Sequence, residues 1–380
     1  MFRHARIAAI ASLFLVTNVA LAAEPTFRTD DGADKKLPWF ELVDGQFPPE
    51  NSAHYFAGEL IHVDYVKRTF ILRNDRTDEQ NRGNFDLPVA VSMLPYGAIY
   101  YHGAPASLAD IPLGTHLHGK FYSKPKDDTS PPISYNTRIS NEVNFTRCLL
   151  LQDDFSHYAR LGQAWHIDEV NLAGMKLTVT LQQNGAAVGK PQTFDLQAST
   201  RVWKDRGFES LEQLEKGQLI QFNITWATMY GPGRVTEIWI DEAARNFATA
   251  HQTAKHRIYI RQRGLAGRID AVDNPSRTVT ITFFDGVDPA LFKELPKGTQ
   301  TAIAVAVDSL RTYDPVNDRK GGLTTNVVKV PLEPGSSGVQ VQIQPDQLLE
   351  GFRPGKIVRV YPTAWPVIPL PLEEMIGLMQ

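Results

Sequence analysis

The amino-acid sequence predicts an all-β protein with short helices, folded as small β-barrels in tandem, three in number. Three observations predict it. One strand–turn–strand block recurs along the chain; a second block, ending in a glycine that leads into another strand, closes each recurrence; and 27 Gly with 25 Pro supply the turns that many short elements need. The length of 380 residues suits two or three domains at roughly 100–200 residues each. Hydrophobic residues at 42% and charged residues at 21% exclude a wholly disordered chain.

The first block is Gly58 to Asp64 followed by Thr69 to Leu72, and it matches Gly267 to Asp273 followed by Thr278 to Ile281 with the same internal spacings. Trp165 to Asn171 followed by Leu177 to Leu181 is a looser third version, aligned with one added residue in its turn. Val, Ile and Thr alternate with polar residues, as a half-buried antiparallel hairpin requires, and Asp273 to Ser276 or Asn171 to Gly174 supplies the reversal. The second block keeps one spacing in Leu108 with Gly114, Leu211 with Gly217, and Leu349 with Gly355. The closing strands that follow are His116–Phe121, Leu219–Ile224 and Lys356–Tyr361, each preceded by about one helical turn. A middle strand is expected at Pro88–Met93, Thr193–Leu196 and Thr301–Val307. Four or five strands are too few to cover both faces of an open sheet, so each unit closes on itself and hides its edges.

The combined pattern, glycine through Val-Asp, then Thr, then the Leu-to-Gly block, resembles bacterial exported OB-like barrel domains of unassigned function over most of residues 55–365. The resemblance implies three tandem OB-like small β-barrels and brings no catalytic residues with it. The expected division is a signal peptide at 1–22, an N-terminal lead-in at 23–50, and barrels at 51–138, 139–242 and 243–365, with a strap at 366–380. The second and third barrels carry helical lead-ins, Asp153–Arg160 and Asp241–His256; acids first and bases last suit the dipole of the latter. Residues 314–344, with Gly321-Gly322 and Pro334 to Gly338, read as an insertion in the third barrel. Lys124 to Pro132 reads as a Pro-rich surface loop, and Pro362 to Pro371 as an extended strap against a barrel.

Arg3 and Arg6, the apolar run Ile7 to Val16 and Ala20-Leu21-Ala22 have the order of an export signal, so a periplasmic or secreted protein is expected. No later stretch approaches the ~18 apolar residues of a membrane helix, so no transmembrane segment is expected after signal removal. Removal of residues 1–22 takes the formal charge from −3 to −5, which disfavours nucleic acid as a partner. Cys148, the single cysteine, sits in an apolar run and reads as a small buried hydrophobe with no disulfide to make.

His116 and His118 lie at the strand spacing that puts two imidazoles on one face, superficially like the His-x-His-Gly copper-ligand stretch of multicopper oxidases. Further His pairs and a Cys-bearing ligand run are missing, so no metal and no cofactor is expected there, and the pair reads as the polar side of an alternating strand. Asp154 and His157, with His166 and Glu169 near in sequence, read as a solvated helix face. Tyr100, Tyr101, Trp203 and Tyr313 fall before the connectors of successive barrels and are the ligand-binding candidates; a ring there either stacks on a glycan or peptide or plugs a barrel end. The expected function is a non-catalytic binding or assembly protein working with a cell-envelope component. The rival is a periplasmic hydrolase or metal-dependent enzyme whose site lies between barrels. A platform presents equivalent surfaces on separate barrels; an enzyme presents one pocket with convergent acids and histidines.

Overall fold

The structure, a computed structural model, describes residues 26–30, 32, 35–75, 88–124, 145–225, 233–313 and 319–376. The expected signal peptide at 1–22, residues 125–132 of the Pro-rich loop and residues 314–318 of the expected insertion lie outside the described residues.

The chain forms three closed β-barrels in tandem, of five, five and six strands. The first contains β1 (His54–Asp64), β2 (Thr69–Asn74), β3 (Val89–Tyr101), β4 (Ala104–Pro105), β5 (His116–Tyr122) and β6 (Arg147–Asp153). Around the barrel the order is β1-β2-β3-β6-β5 and back to β1, with β3 and β6 parallel and the other neighbours antiparallel; β4 folds back on β3 as a flap. The second contains β7 (Gln163–Asn171), β8 (Lys176–Gln183), β9 (Ala186–Ala187), β10 (Gln192–Asp195), β11 (Arg201–Lys204), β12 (Gly207–Glu209), β13 (Leu219–Thr225) and β14 (Arg234–Trp239). Its order β7-β8-β10-β14-β13 repeats that of the first, again with a parallel closure, β10 on β14. This is the five-stranded order of the OB-fold.

The third barrel departs from that order. Its strands are β15 (Leu265–Asp273), β16 (Thr278–Phe284), β17 (Gln300–Ala306), β18 (Lys320–Lys329), β19 (Ser336–Pro345) and β20 (Ile357–Pro362). They close as β15-β16-β19-β18-β17-β20, antiparallel throughout. The segment expected as a middle strand at 301–307 therefore pairs with the closing strand β20 instead of lying beside the hairpin, and β19 takes that place. Residues expected as an insertion supply two barrel strands. Val341 and Ile343 of β19 are fully buried between polar neighbours, a period-2 pattern that the flanking glycine and proline turns obscured.

The repeated blocks form the same joint three times. The first strand of each hairpin is bulged, between Leu60 and His62, Ile167 and Glu169, and Ile269 and Ala271. Just before the bulge, the carbonyls of Leu60, Ile167 and Ile269 accept from the N–H of Gly114, Gly217 and Gly355 at 2.7, 2.8 and 2.8 Å. Those glycines have φ of 87°, 94° and 84°, the left-handed region that a side chain makes costly. The added residue expected in the second hairpin is absent: Asn171 pairs with Lys176 as Asp64 pairs with Thr69 and Asp273 with Thr278.

Each barrel has its own core, centred on Leu60, Leu72 and Phe121 in the first, Ile167, Val179 and Phe222 in the second, and Ile269, Ile281 and Val358 in the third. Every such side chain contributes about 1.5–3 kcal/mol on full burial. Cys148 is buried in the first core, where desolvation pushes its thiol well up. Helix α1 (Asp154–Arg160) joins the first barrel to the second, and α2 (Glu242–Arg263) joins the second to the third. The latter runs seven residues beyond the expected His256, with Arg261 and Arg263 in its last turn and Gly264 at its C-cap. It packs back on the first barrel, where Thr249 donates to the His102 carbonyl at 2.9 Å and Lys255 pairs with Asp110 at 2.6 Å. The C-terminal segment lies on the third barrel, with Trp365 in its core and Glu374 held by Arg263 through two hydrogen bonds of 2.6 and 2.7 Å. No helix among the described residues is long and apolar enough to cross a membrane.

Candidate functional site

Successive side chains of β5 face opposite sides of the strand, so Leu117 and Phe121 fill the first core while His116 and His118 project outward. That outer face is not open to water. The histidines are 4% and 5% exposed because α1 and the second barrel lie over them. Alternation is as the sequence suggests, but the polar side of this strand is the wall of a seam between two barrels.

Two acids, Asp153 and Asp154, come from the junction of β6 and α1. Asp153 ends β6 and caps the helix, accepting from Ser156 N–H at 2.9 Å, His102 N–H at 3.1 Å and the Asn223 amide at 2.8 Å. Asn223 accepts in turn from Phe155 N–H at 2.9 Å, which ties the helix to β13 of the second barrel. The expected solvated helix face fails at the next residue, since Asp154 is 2% exposed. Its Oδ2 accepts from Ile224 N–H at 3.0 Å, where the register of β13 on β14 slips. Its Oδ1 lies 2.6 Å from His116 Nδ1 and 3.0 Å from His118 Nε2.

The far nitrogen of each imidazole is also held. His116 Nε2 lies 2.8 Å from Asp75 Oδ2, and His118 Nδ1 lies 2.7 Å from the Tyr55 hydroxyl. The His157 ring stacks parallel on His118 with centroids 3.8 Å apart. One ligating atom from each of His116, His118 and Asp154 lies within 4.8 Å of the other two. The sequence offered no third donor beside the histidine pair; folding brings one, Asp154, from the start of α1. His166 and Glu169 stay outside this cluster, His166 pairing with Asp168 at 2.9 Å and Glu169 facing solvent.

Burial alone would push His116 down, yet Asp154 and Asp75 hold its imidazole well above the usual range. Burial would raise Asp154, and His116 and His118 instead hold it well below the ordinary carboxylate range. His118 is lowered by burial, against the Asp154 hydrogen bond and with the help of the His116 charge. His157 falls to about 3 through burial and the neighbouring His118. In the metal-free protein the seam therefore holds an imidazolium–carboxylate pair flanked by neutral imidazoles.

A cleft of about 250 Å³ opens beside the cluster. Its opposite wall is the end of the second core, with Trp165, Phe194, Phe222 and Ile224, and Tyr158 and Gln192 at its sides. Trp165 Nε1 is buried and has no hydrogen-bond partner among the described residues.

The aromatic candidates do not converge. Tyr101 belongs to the first core and stacks on His102 at 3.8 Å. Tyr100 lies beneath the Arg160 guanidinium at 4.1 Å. Trp203 occupies the place in the second barrel that Tyr100 has in the first, each paired to the parallel last strand, and its ring meets that of Phe208 at a tilt of 37°, centroids 3.8 Å apart. Tyr313 stands 46% exposed on the third barrel. Sequence reasoning missed Asp75 and Tyr55, which belong to no local motif, and separated Asp154 from the histidines because His118 and Asp154 are 36 positions apart. No protein-family model matches the chain, and neither a curated protein nor a solved structure matches it.

Proposed function

We propose that this is a metal-dependent enzyme, exported from the cell, whose site is the seam between the first and second barrels. The observation that carries the reading is the donor set. Two imidazole nitrogens and a carboxylate oxygen converge, and each imidazole's other nitrogen faces an oxygen acceptor, Asp75 or Tyr55. Such outer contacts fix the orientation and raise the basicity of ligating histidines. His116, His118 and Asp154 would hold a divalent transition metal, and three protein ligands leave a position for water or substrate. When bound, that metal would supply Lewis-acid chemistry of the hydrolytic kind. Trp165 Nε1, an unpartnered donor in the cleft wall, suits an acceptor on a small polar substrate. Membership of the exported bacterial OB-like barrel proteins is part of the same proposal and rests on the repeated blocks and on residues 1–22.

Elemental analysis and zinc titration of the purified protein test this reading. The expected result is a stoichiometric transition metal, lost in His116→Ala and His118→Ala and bound about 10–100-fold more weakly in Asp75→Asn. If the wild-type protein neither retains nor takes up a metal, the cluster is an ion pair that locks two barrels and the enzyme reading falls.

The close contact of Phe208, 59% exposed, with the tilted Trp203 ring favours a second reading, in which the second barrel binds an oligosaccharide or peptide of the cell envelope. A glycan and peptide panel compared with Trp203→Ala tests it, and unchanged binding removes that residue.

A further inference from the structure

A second cavity, of about 330 Å³, lies where the first barrel, α2, the third barrel and the C-terminal segment meet. Its lining includes Arg68 from the first hairpin turn and Arg359 from the closing strand of the third barrel. Arg359 is 6% exposed and Arg68 partly buried. Arg68 donates to the carbonyls of Leu94, Pro95 and Gly97 at 3.1, 3.1 and 2.9 Å. Arg359 donates to the carbonyls of Leu310 and Gly264 at 3.0 and 2.9 Å. Among the described residues no carboxylate pairs with either. A guanidinium has five N–H donors, so two remain on Arg68 and three on Arg359.

The rest of the lining does not neutralise them. Five cationic side chains face the cavity against three carboxylates. Of those carboxylates, Asp110 is taken by Lys255 and Glu374 by Arg263, which leaves Asp285. His256 is 3% exposed; the Gly286 backbone is its polar neighbour, and among the described residues no side chain hydrogen-bonds to either ring nitrogen. Buried charge without a counter-charge is costly, and a planar guanidinium fork matches the two oxygens of a carboxylate or phosphate. Ile99, Tyr259 and Leu370 provide apolar wall for a carbon body.

We propose that this cavity binds a small organic anion whose carboxylate or phosphate group takes the free N–H donors of Arg68 and Arg359. The site is separate from the histidine cluster and does not depend on a metal there.

Calorimetric titration of the full chain with inorganic phosphate and with succinate, against chloride at matched ionic strength, tests the proposal. Saturable binding of at least one is expected, weakened at least tenfold in Arg359→Gln with metal content unchanged. Binding of phosphate alone identifies a phosphate group, and binding of succinate alone a carboxylate; either supports the site. His256→Gln, expected to weaken binding as well, serves if circular dichroism shows that Arg359→Gln fails to fold. The proposal is overturned if neither anion binds beyond the chloride control, or if binding is unchanged in the folded variants.

Discussion

Four residues after its turn glycine, each closing strand carries a polar side chain on the outer face of its barrel: His118, Gln221 and Arg359. All three are buried, at 5%, 3% and 6% exposure. The seams around the first and last of these differ in kind. At the first, His118 and His116 meet Asp154, and Asp75 adds a second carboxylate, so opposite charges are matched at hydrogen-bond distance. At the other, Arg359 and Arg68 meet only carbonyl groups among the described residues. The repeated fold thus creates one buried polar slot per unit, and the residue placed there decides what the seam can hold. Under the proposed function the site lies where units meet, in keeping with the general separation of site from fold.

The largest expected effect breaks the matched seam. Asp154→Ala leaves the His116 imidazolium buried with Asp75 as its remaining carboxylate, and leaves Ile224 N–H without its acceptor. A loss of about 3–5 kcal/mol is expected, as for other buried ion pairs that lose one partner. Denaturant unfolding of metal-free protein measures it, and Asp154→Asn, which keeps an acceptor for Ile224, should lose less. A cost for Asp154→Ala below about 1 kcal/mol would show that the cluster does not hold the barrels together.

The repeat was legible because it is local: bulged hairpin, turn glycine and closing strand each occupy a few consecutive residues, and the Gly114, Gly217 and Gly355 joints are the same hydrogen bond three times. Strand order in the third barrel was not legible, because β17 and β19 both alternate and only their partners differ. The site was half legible. His116 and His118 announce a common face by their spacing, whereas Asp75, Asp154 and Tyr55 reach them across strand pairings that no local pattern encodes. One signal was available and unused: the outer position of the closing strand changes from His to Gln to Arg while the core positions around it stay apolar.

The next effect belongs to the unmatched seam and appears as pH dependence. Burial pushes His256 down to about 4, with Asp110 and Asp288 opposing and Arg359 reinforcing the fall. The folded protein therefore keeps this ring neutral where the unfolded chain, at about 6.5, takes a proton. Its contribution is present above pH 6.5 and is lost as pH falls toward about 4, by about 3 kcal/mol over the window. The stability difference between wild type and His256→Gln should shrink by that amount from pH 7 to pH 4. A difference that stays constant with pH would place a charge partner on His256 and weaken the contrast between seams.

Arg359→Met should be milder, about 1 kcal/mol or less in either direction, because the relief of a desolvated charge offsets the two carbonyls left without a donor. Measured beside Asp154→Ala, it separates a charge that is matched from one that is not. A cost of several kcal/mol would mean that a counter-ion already serves Arg359, and the same substitution in the presence of phosphate would then show whether that ion is exchangeable.

The smallest effect lies outside both seams. Tyr313 is 46% exposed, so Tyr313→Ala should change stability by less than about 0.5 kcal/mol and leave metal and anion binding intact. Because the position packs against so little, any functional loss there would be specific. If Tyr313→Ala or Trp203→Ala abolished binding of a glycan or peptide while Asp75→Asn did not, the outer surfaces rather than the seams would be where this protein meets its ligand. The three buried polar slots would then be fastenings between barrels, and the variety of His, Gln and Arg in them would reflect only the different neighbours each barrel has to grip.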